Sequence, residues 1–226
     1  MTFLMVTVAD KTRIEMRNRE ELANALSHFI GALLSVACLI LMVVYSAQGG
    51  SILAVISSII FGFSMILLYI SSAIAHWLKE GKRKDIFFSL DQAAIFILIA
   101  GTYTPLALIA LHGITGWILF FTEWIMAAIG IFRVFRHTDV LKEKVGIIDI
   151  LIYILMGWLV VLVSGPVLRS IPVMGVIWII IGGLFYTFGI VFFKFMNFRY
   201  HHLVWHLMVI AGSASHFTAI FFYILQ

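Results

Sequence analysis

Apolar residues along this 226-residue chain gather into seven runs, 25–47, 52–77, 88–111, 114–135, 146–165, 172–194 and 203–225, and the arm before them and the stretches between them hold most of the charge. Each run is close to the roughly 20 residues a helix needs to cross about 30 Å of hydrocarbon. None alternates apolar and polar residues over about 10 positions, as an outer-membrane barrel strand does. The pattern predicts an all-α integral membrane protein, a seven-transmembrane helix bundle. Residues 1–24 read as an N-terminal arm and 25–226 as the seven-helix domain, without linker, repeat or second domain. The first run ends on the small residues Ser46-Ala47, yet it exceeds a secretory h-region and follows a charged arm, so it reads as a span.

Composition excludes the alternative of a soluble globule. Charged residues make up 12% of the chain, against about 25% in ordinary soluble domains, and the mean hydropathy is +1.11. The single cysteine, Cys38, excludes an internal disulfide framework, a Cys-rich zinc finger and a four-cysteine iron–sulfur cluster, which leaves the eight histidines as the main candidate metal ligands. Fourteen of the fifteen lysines and arginines fall in the arm or in the stretches after runs two, four and six; only Arg169 falls on the other side. Short basic loops stay in the cytoplasm, so the N-terminus is expected to be cytoplasmic and the C-terminus outside. This topology, with attraction to anionic headgroups, accounts for the net charge of +4, and no nucleic-acid partner is expected.

With the spans oriented, one depth collects polar residues. His76 ends the second run on its cytoplasmic side, Asp91 is placed in the first turn of helix 3, and His202 and His206 open the seventh run from the same side. Ser72 precedes His76 by one turn on the same face. His202-x-x-x-His206 is an i, i+4 pair that can aim two imidazoles at one ion, although interfacial histidines near headgroups give the same pattern. His76 and Asp91 at matching depth favour a metal site, because ionisable groups inside spans face a partner or a cavity. Three imidazoles with one open position is the catalytic pattern for zinc.

The chain resembles the bacterial hemolysin III proteins, within the progestin and adipoQ receptor (PAQR) family. The resemblance rests on Glu21-x-x-Asn24-x-x-x-His28, Ser72-x-x-x-His76, Asp91, Gly101-Thr102-Tyr103-Thr104-Pro105 and His202-x-x-x-His206, in order from about Glu20 to the C-terminus. It implies a seven-helix fold with a cytoplasmic N-terminus in the bacterial inner membrane. It also implies zinc on His76, His202 and His206, with Asp91 holding or deprotonating a zinc-bound water and Ser72 as the helix 2 serine. His28 matches a family histidine that is no recognised ligand, and reads either as a residue behind the ligands or as a core histidine bonded to a carbonyl.

Zinc on three neutral imidazoles lowers the pKa of a bound water from about 15.7 to about 7. Asp91 then serves as general base and proton donor, or only orients water or a ligand. Ser72 orients the water or stabilises an oxyanion, or bonds back to its own helix. A site within the spans is reached most easily by a substrate in the bilayer, so membrane lipids are the expected partners and hydrolysis of a lipid amide or ester the expected reaction; the family's similarity to alkaline ceramidases points the same way. A lipid or membrane-state sensor with a structural zinc needs the same ligands. The family name adds cytolytic activity as a third reading, direct or secondary to altered lipids, although seven spans with a basic inner side describe a resident membrane protein and not a secreted pore former.

Other polar residues have plainer readings. Glu123, in mid-span, is either functional or protonated and bonded to a neighbouring helix. Asp149 reads as interfacial, His216 as a hydrogen-bonded core histidine, and His112, His137 and His201 as solvated. The stretch Ala211-Gly212-Ser213-Ala214-Ser215 reads as helix packing, and Pro105 and Pro166 are expected to kink or end their helices.

Overall fold

The structure is a computed structural model that describes residues 8–136 and 145–226, with side chains described from Met16 onward; His137, Lys142 and Lys144 lie outside the described residues. Seven helices are long and apolar enough to cross a membrane, and no strand occurs among the described residues. They are α1 (Val8–Gln48), α2 (Ile52–Trp77), α3 (Lys82–Leu111), α4 (Gly113–Arg136), α5 (Ile147–Ser170), α6 (Val173–Lys194) and α7 (His201–Tyr223). Consecutive helices run antiparallel and pack on one another, and α1 closes the ring against α7. α3 is the most buried helix and α6 the least.

The helices extend past the apolar runs at several ends. α1 continues back to Val8 through the arm, and α3 begins at Lys82. Asp91 therefore stands in the third turn of α3, not the first. Hydropathy alone reads Lys82, Arg83, Lys84 and Asp85 as loop, but the Lys84 ammonium is buried against Glu21 at 3.1 Å and Glu80 at 3.2 Å, so this charged stretch tolerates helical packing. Arg17 also pairs with Glu80, and Arg199 lies 4.0 Å from Glu20, so the start of α1 and the α2–α3 and α6–α7 turns share one end of the bundle. That end is called the basic end below.

Two spans are broken by identifiable causes. In α3, Pro105 removes a backbone donor, and Leu106–Leu111 continue as a π-helix. The chain then turns through two residues of positive φ, His112 (48°) and Gly113 (56°), into α4. α5 is α-helical over Ile147–Trp158, tightens to a 3-10 helix over Leu159–Val163 and resumes over Ser164–Ser170. The break coincides with the β-branched Val160, Val161 and Val163, stiff side chains that crowd a helix. Tyr103 substitutes for the lost ladder: its hydroxyl donates to the Gly157 carbonyl at 3.0 Å and accepts from the Val160 N–H at 2.9 Å. Pro166 does not end α5; it stands in the first turn of the last segment, where backbone donors have no helical partner.

α6 meets α7 through a column of glycines. Gly175, Gly182 and Gly189 are its buried residues, and a Cβ on each would come within 2.8 Å or less of Tyr223, His216 and Trp205 respectively. Gly212 of α7 reciprocates by taking the ring of Tyr186, so the small-residue stretch packs as expected.

Candidate metal centre

α2 and α7 deliver three imidazoles to one point near the basic end. His76, in the last turn of α2, and His202 and His206, in the first turns of α7, each place a ring nitrogen such that all three atoms lie within 4.8 Å of one another. His76 Nε2 and His202 Nε2 are 3.2 Å apart. This group can hold a metal ion, as the i, i+4 spacing and the matched depth anticipate.

The far nitrogens of two rings are anchored by α1. His76 Nδ1 lies 3.0 Å from Glu21 Oε2, and His206 Nδ1 lies 3.2 Å from the Asn24 carbonyl and 3.1 Å from Ser27 Oγ. Carboxylate and carbonyl are acceptors, so this network assigns the proton to Nδ1 on both rings and turns their Nε2 lone pairs toward the centre. Lone pairs brought this close repel unless a proton or a cation lies between them, and the donor set suits a cation that favours neutral imidazole.

Sequence reading left Glu21 without a role, yet the signal was present: Glu21, Asn24 and His28 recur at i, i+3 and i+7, one face of a helix. A carboxylate behind a metal-binding histidine fixes its tautomer and orientation, and its loss weakens metal binding by about 10–100-fold. Glu21→Gln is expected to weaken metal affinity by that factor in a titration monitored by competition with a chromophoric chelator. Unchanged affinity would remove Glu21 from the centre.

Of the remaining residues, Ser72 and His28 come to the centre and Glu123 does not. Ser72 is fully buried and its hydroxyl has no hydrogen-bond partner, so it does not bond back to its helix. Asp91 faces His76 and Ser72 from α3, but its approach to the hydroxyl falls short of ordinary hydrogen-bond geometry, and no carboxylate joins the three-nitrogen group. His28 stacks on His206 at 3.5 Å between ring centroids, and its nitrogens fall short of ordinary hydrogen-bond geometry with any partner among the described residues. Stacking on a ligand ring holds it by van der Waals contact alone. Glu123 lies on α4, against α3. His216 is the hydrogen-bonded core histidine expected, 3.1 Å from the Ile179 carbonyl, whereas His201 is only half exposed and holds the Phe192 carbonyl at 3.0 Å. His112 is exposed, and Asp149 pairs with Arg133 at 3.2 Å.

Three spaces lie at or near the centre. A cavity of about 130 Å³ is lined by His28, Asp91 and His202 at one end and by Gly157, Gly183 and His216 at the other. A second, of about 300 Å³, shares Thr102, Tyr103, Gly157, Trp158, Gly183 and His216 with it, so the two lie side by side as a mostly apolar path between α3, α5, α6 and α7. On the opposite side of His76, a polar pocket of about 480 Å³ is lined by Arg17, Glu21, Lys79, Glu80 and Lys84.

Comparison with known proteins agrees with this architecture. Residues 16–217 match the family model described as "Haemolysin-III related". The chain is 38% identical over 215 residues to Hemolysin-3 of Bacillus cereus, covering 95% of this chain and 96% of that one. It is 37% identical over 209 residues to a Hemolysin-3 homolog of Bacillus subtilis (strain 168), covering 92% and 96%. It is also 31% identical over 178 residues to the human monocyte to macrophage differentiation factor, covering 76% and 71%. No solved structure matches the chain. From the order of its motifs, its seven spans and these matches, the chain belongs to the haemolysin III-related family of multi-pass membrane proteins.

Proposed function

We propose that this protein is a zinc-dependent hydrolase of a lipid amide or ester, set in the bacterial inner membrane with the basic end toward the cytoplasm. The observation that carries the reading is the juxtaposition of three converging imidazoles, a buried hydroxyl without a partner and a carboxylate at the head of an apolar cavity. His76, His202 and His206, whose ring nitrogens lie within 4.8 Å of one another, would hold the ion, and three imidazoles are a donor set that suits zinc. When bound, zinc supplies a Lewis acid and lowers the pKa of water at neutral pH.

The chain's own residues supply the rest. The apolar path takes an acyl chain and directs its carbonyl group toward His202 and Asp91. Asp91 accepts a proton from the attacking water and returns it to the leaving amine or alcohol. Ser72, its hydroxyl free, donates to the oxygen on which negative charge develops. The polar pocket behind His76 admits water from the basic end without crossing the path taken by lipid.

The test is turnover by purified protein on a panel of lipid amides and esters. Fatty-acid release from at least one substrate is expected, with loss of at least 100-fold after chelation and recovery on adding zinc. Full zinc occupancy without turnover on any lipid would replace the hydrolase by a sensor in which the metal ties α2 to α7.

A further inference from the structure

The buried face of α4 is a stripe of Gly116, Leu119, Glu123, Ala127 and Gly130, packed on α3. Its two ends are marked by close approaches: a Cβ on Gly116 would meet the Ala107 carbonyl at 2.1 Å, and one on Gly130 would meet Phe96 at 2.3 Å. Glu123 stands seven residues from each glycine, on the same face. Its side chain is 0% exposed, and neither carboxylate oxygen has a hydrogen-bond partner. Four other acidic residues differ. Glu20, Glu21, Glu80 and Asp149 all lie within 4.0 Å of a basic side chain.

Among the described residues, the groups next to Glu123 offer it no compensating charge. From α3 the titratable group facing it is Tyr103, whose hydroxyl proton is committed to Gly157. Thr104 donates to the Ala100 carbonyl and accepts from Trp124. The π-helical segment Leu106–Leu111 carries no titratable residue. The Asp149–Arg133 pair lies toward the basic end, Arg133 being about 15 Å along α4 from Glu123. An ionised carboxylate in such surroundings is costly enough that the group takes up a proton instead.

We propose that Glu123 is a proton-binding site within the membrane, separate from the metal centre, whose carboxyl carries one proton in the folded protein. The ligand is a proton because the site offers neither a basic side chain nor a cluster of acceptors to a metal cation. Releasing that proton places a bare charge in the α3–α4 seam, beside the Tyr103 hydroxyl that bridges the break in α5.

The test is the infrared difference spectrum of wild type minus Glu123→Gln, in lipid nanodiscs at neutral pH. The expected result is one protonated carboxylic C=O band, sensitive to exchange into D2O, that is absent from the variant. Loss of a carboxylate band pair in its place would overturn the proposal, as would bands that respond to added sodium or magnesium, which would make the site a cation site. Should the variant fail to fold, wild type carrying 13C-glutamate gives the same reading. A protonated glutamate band supports the proposal, and carboxylate bands alone overturn it.

Discussion

The His202→Ala, His206→Ala double variant is expected to purify with background zinc, beside about one ion per chain in wild type, as read by plasma mass spectrometry against protein concentration. Three imidazoles are the least that hold an open tetrahedral site, and the double variant leaves His76 alone. No carboxylate is positioned to take over, since Asp91 stands outside the three-nitrogen group. The anchors from α1 make the loss steeper. Asn24 and Ser27 hold His206 by its Nδ1, so removing the ring discards orientation already fixed in the fold. The variant also loses the stabilisation that a bound ion gives the folded state, about RT ln(1 + [Zn]/Kd). Its melting temperature should therefore stop responding to added zinc. Equal zinc in both proteins would end the metal reading, and the hydrolase reading with it.

Asp91→Asn is expected to keep its zinc and lose most of its turnover. A positioned general base contributes about 10²–10⁴-fold, and asparagine preserves the size of the side chain while removing its basicity. Because Asp91 is no ligand in the three-nitrogen group, metal content should match wild type within error, and kcat should fall while KM changes little. An Asn variant with full turnover would reduce Asp91 to an orienting residue. A variant that loses zinc together with activity would make it part of the metal's hold on the protein.

Both expectations start from residues legible in the sequence, because a membrane-spanning chain carries so few ionisable side chains that their depth is informative. His76, His202, His206 and Ser72 converge as the spans and the i, i+4 spacing require. The contribution of α1 was less legible. Glu21 meets His76 and Lys84 across 55 and 63 positions of sequence, and no local pattern encodes such a pairing. The same ion pairs explain why α3 begins at Lys82: charge lowers hydropathy whether or not it is neutralised by a neighbour, so a paired lysine reads as loop. The break in α5 was hidden for a different reason. Val160, Val161 and Val163 are as apolar as any span residue, and their stiffness takes effect only where the Tyr103 hydroxyl is available to replace the helical hydrogen bonds. For His28 and Glu123, position along the span sets depth but not neighbours.

The glycine column of α6 limits how this bundle can move. Lipid provides no solvent-driven push between helices, so α6 is held to α7 by close fit and by the hydrogen bonds of His216, His201 and Ser213 to the Ile179 carbonyl, the Phe192 carbonyl and Tyr186, and three rings recessed into its backbone act as pins against axial sliding. α6 and α7 therefore travel as a single plank that carries His202 and His206 at one end. α5 packs on its neighbours far more lightly, with the Trp158 indole N–H donating to Thr187 Oγ1 at 3.1 Å as its side-chain hydrogen bond to that plank.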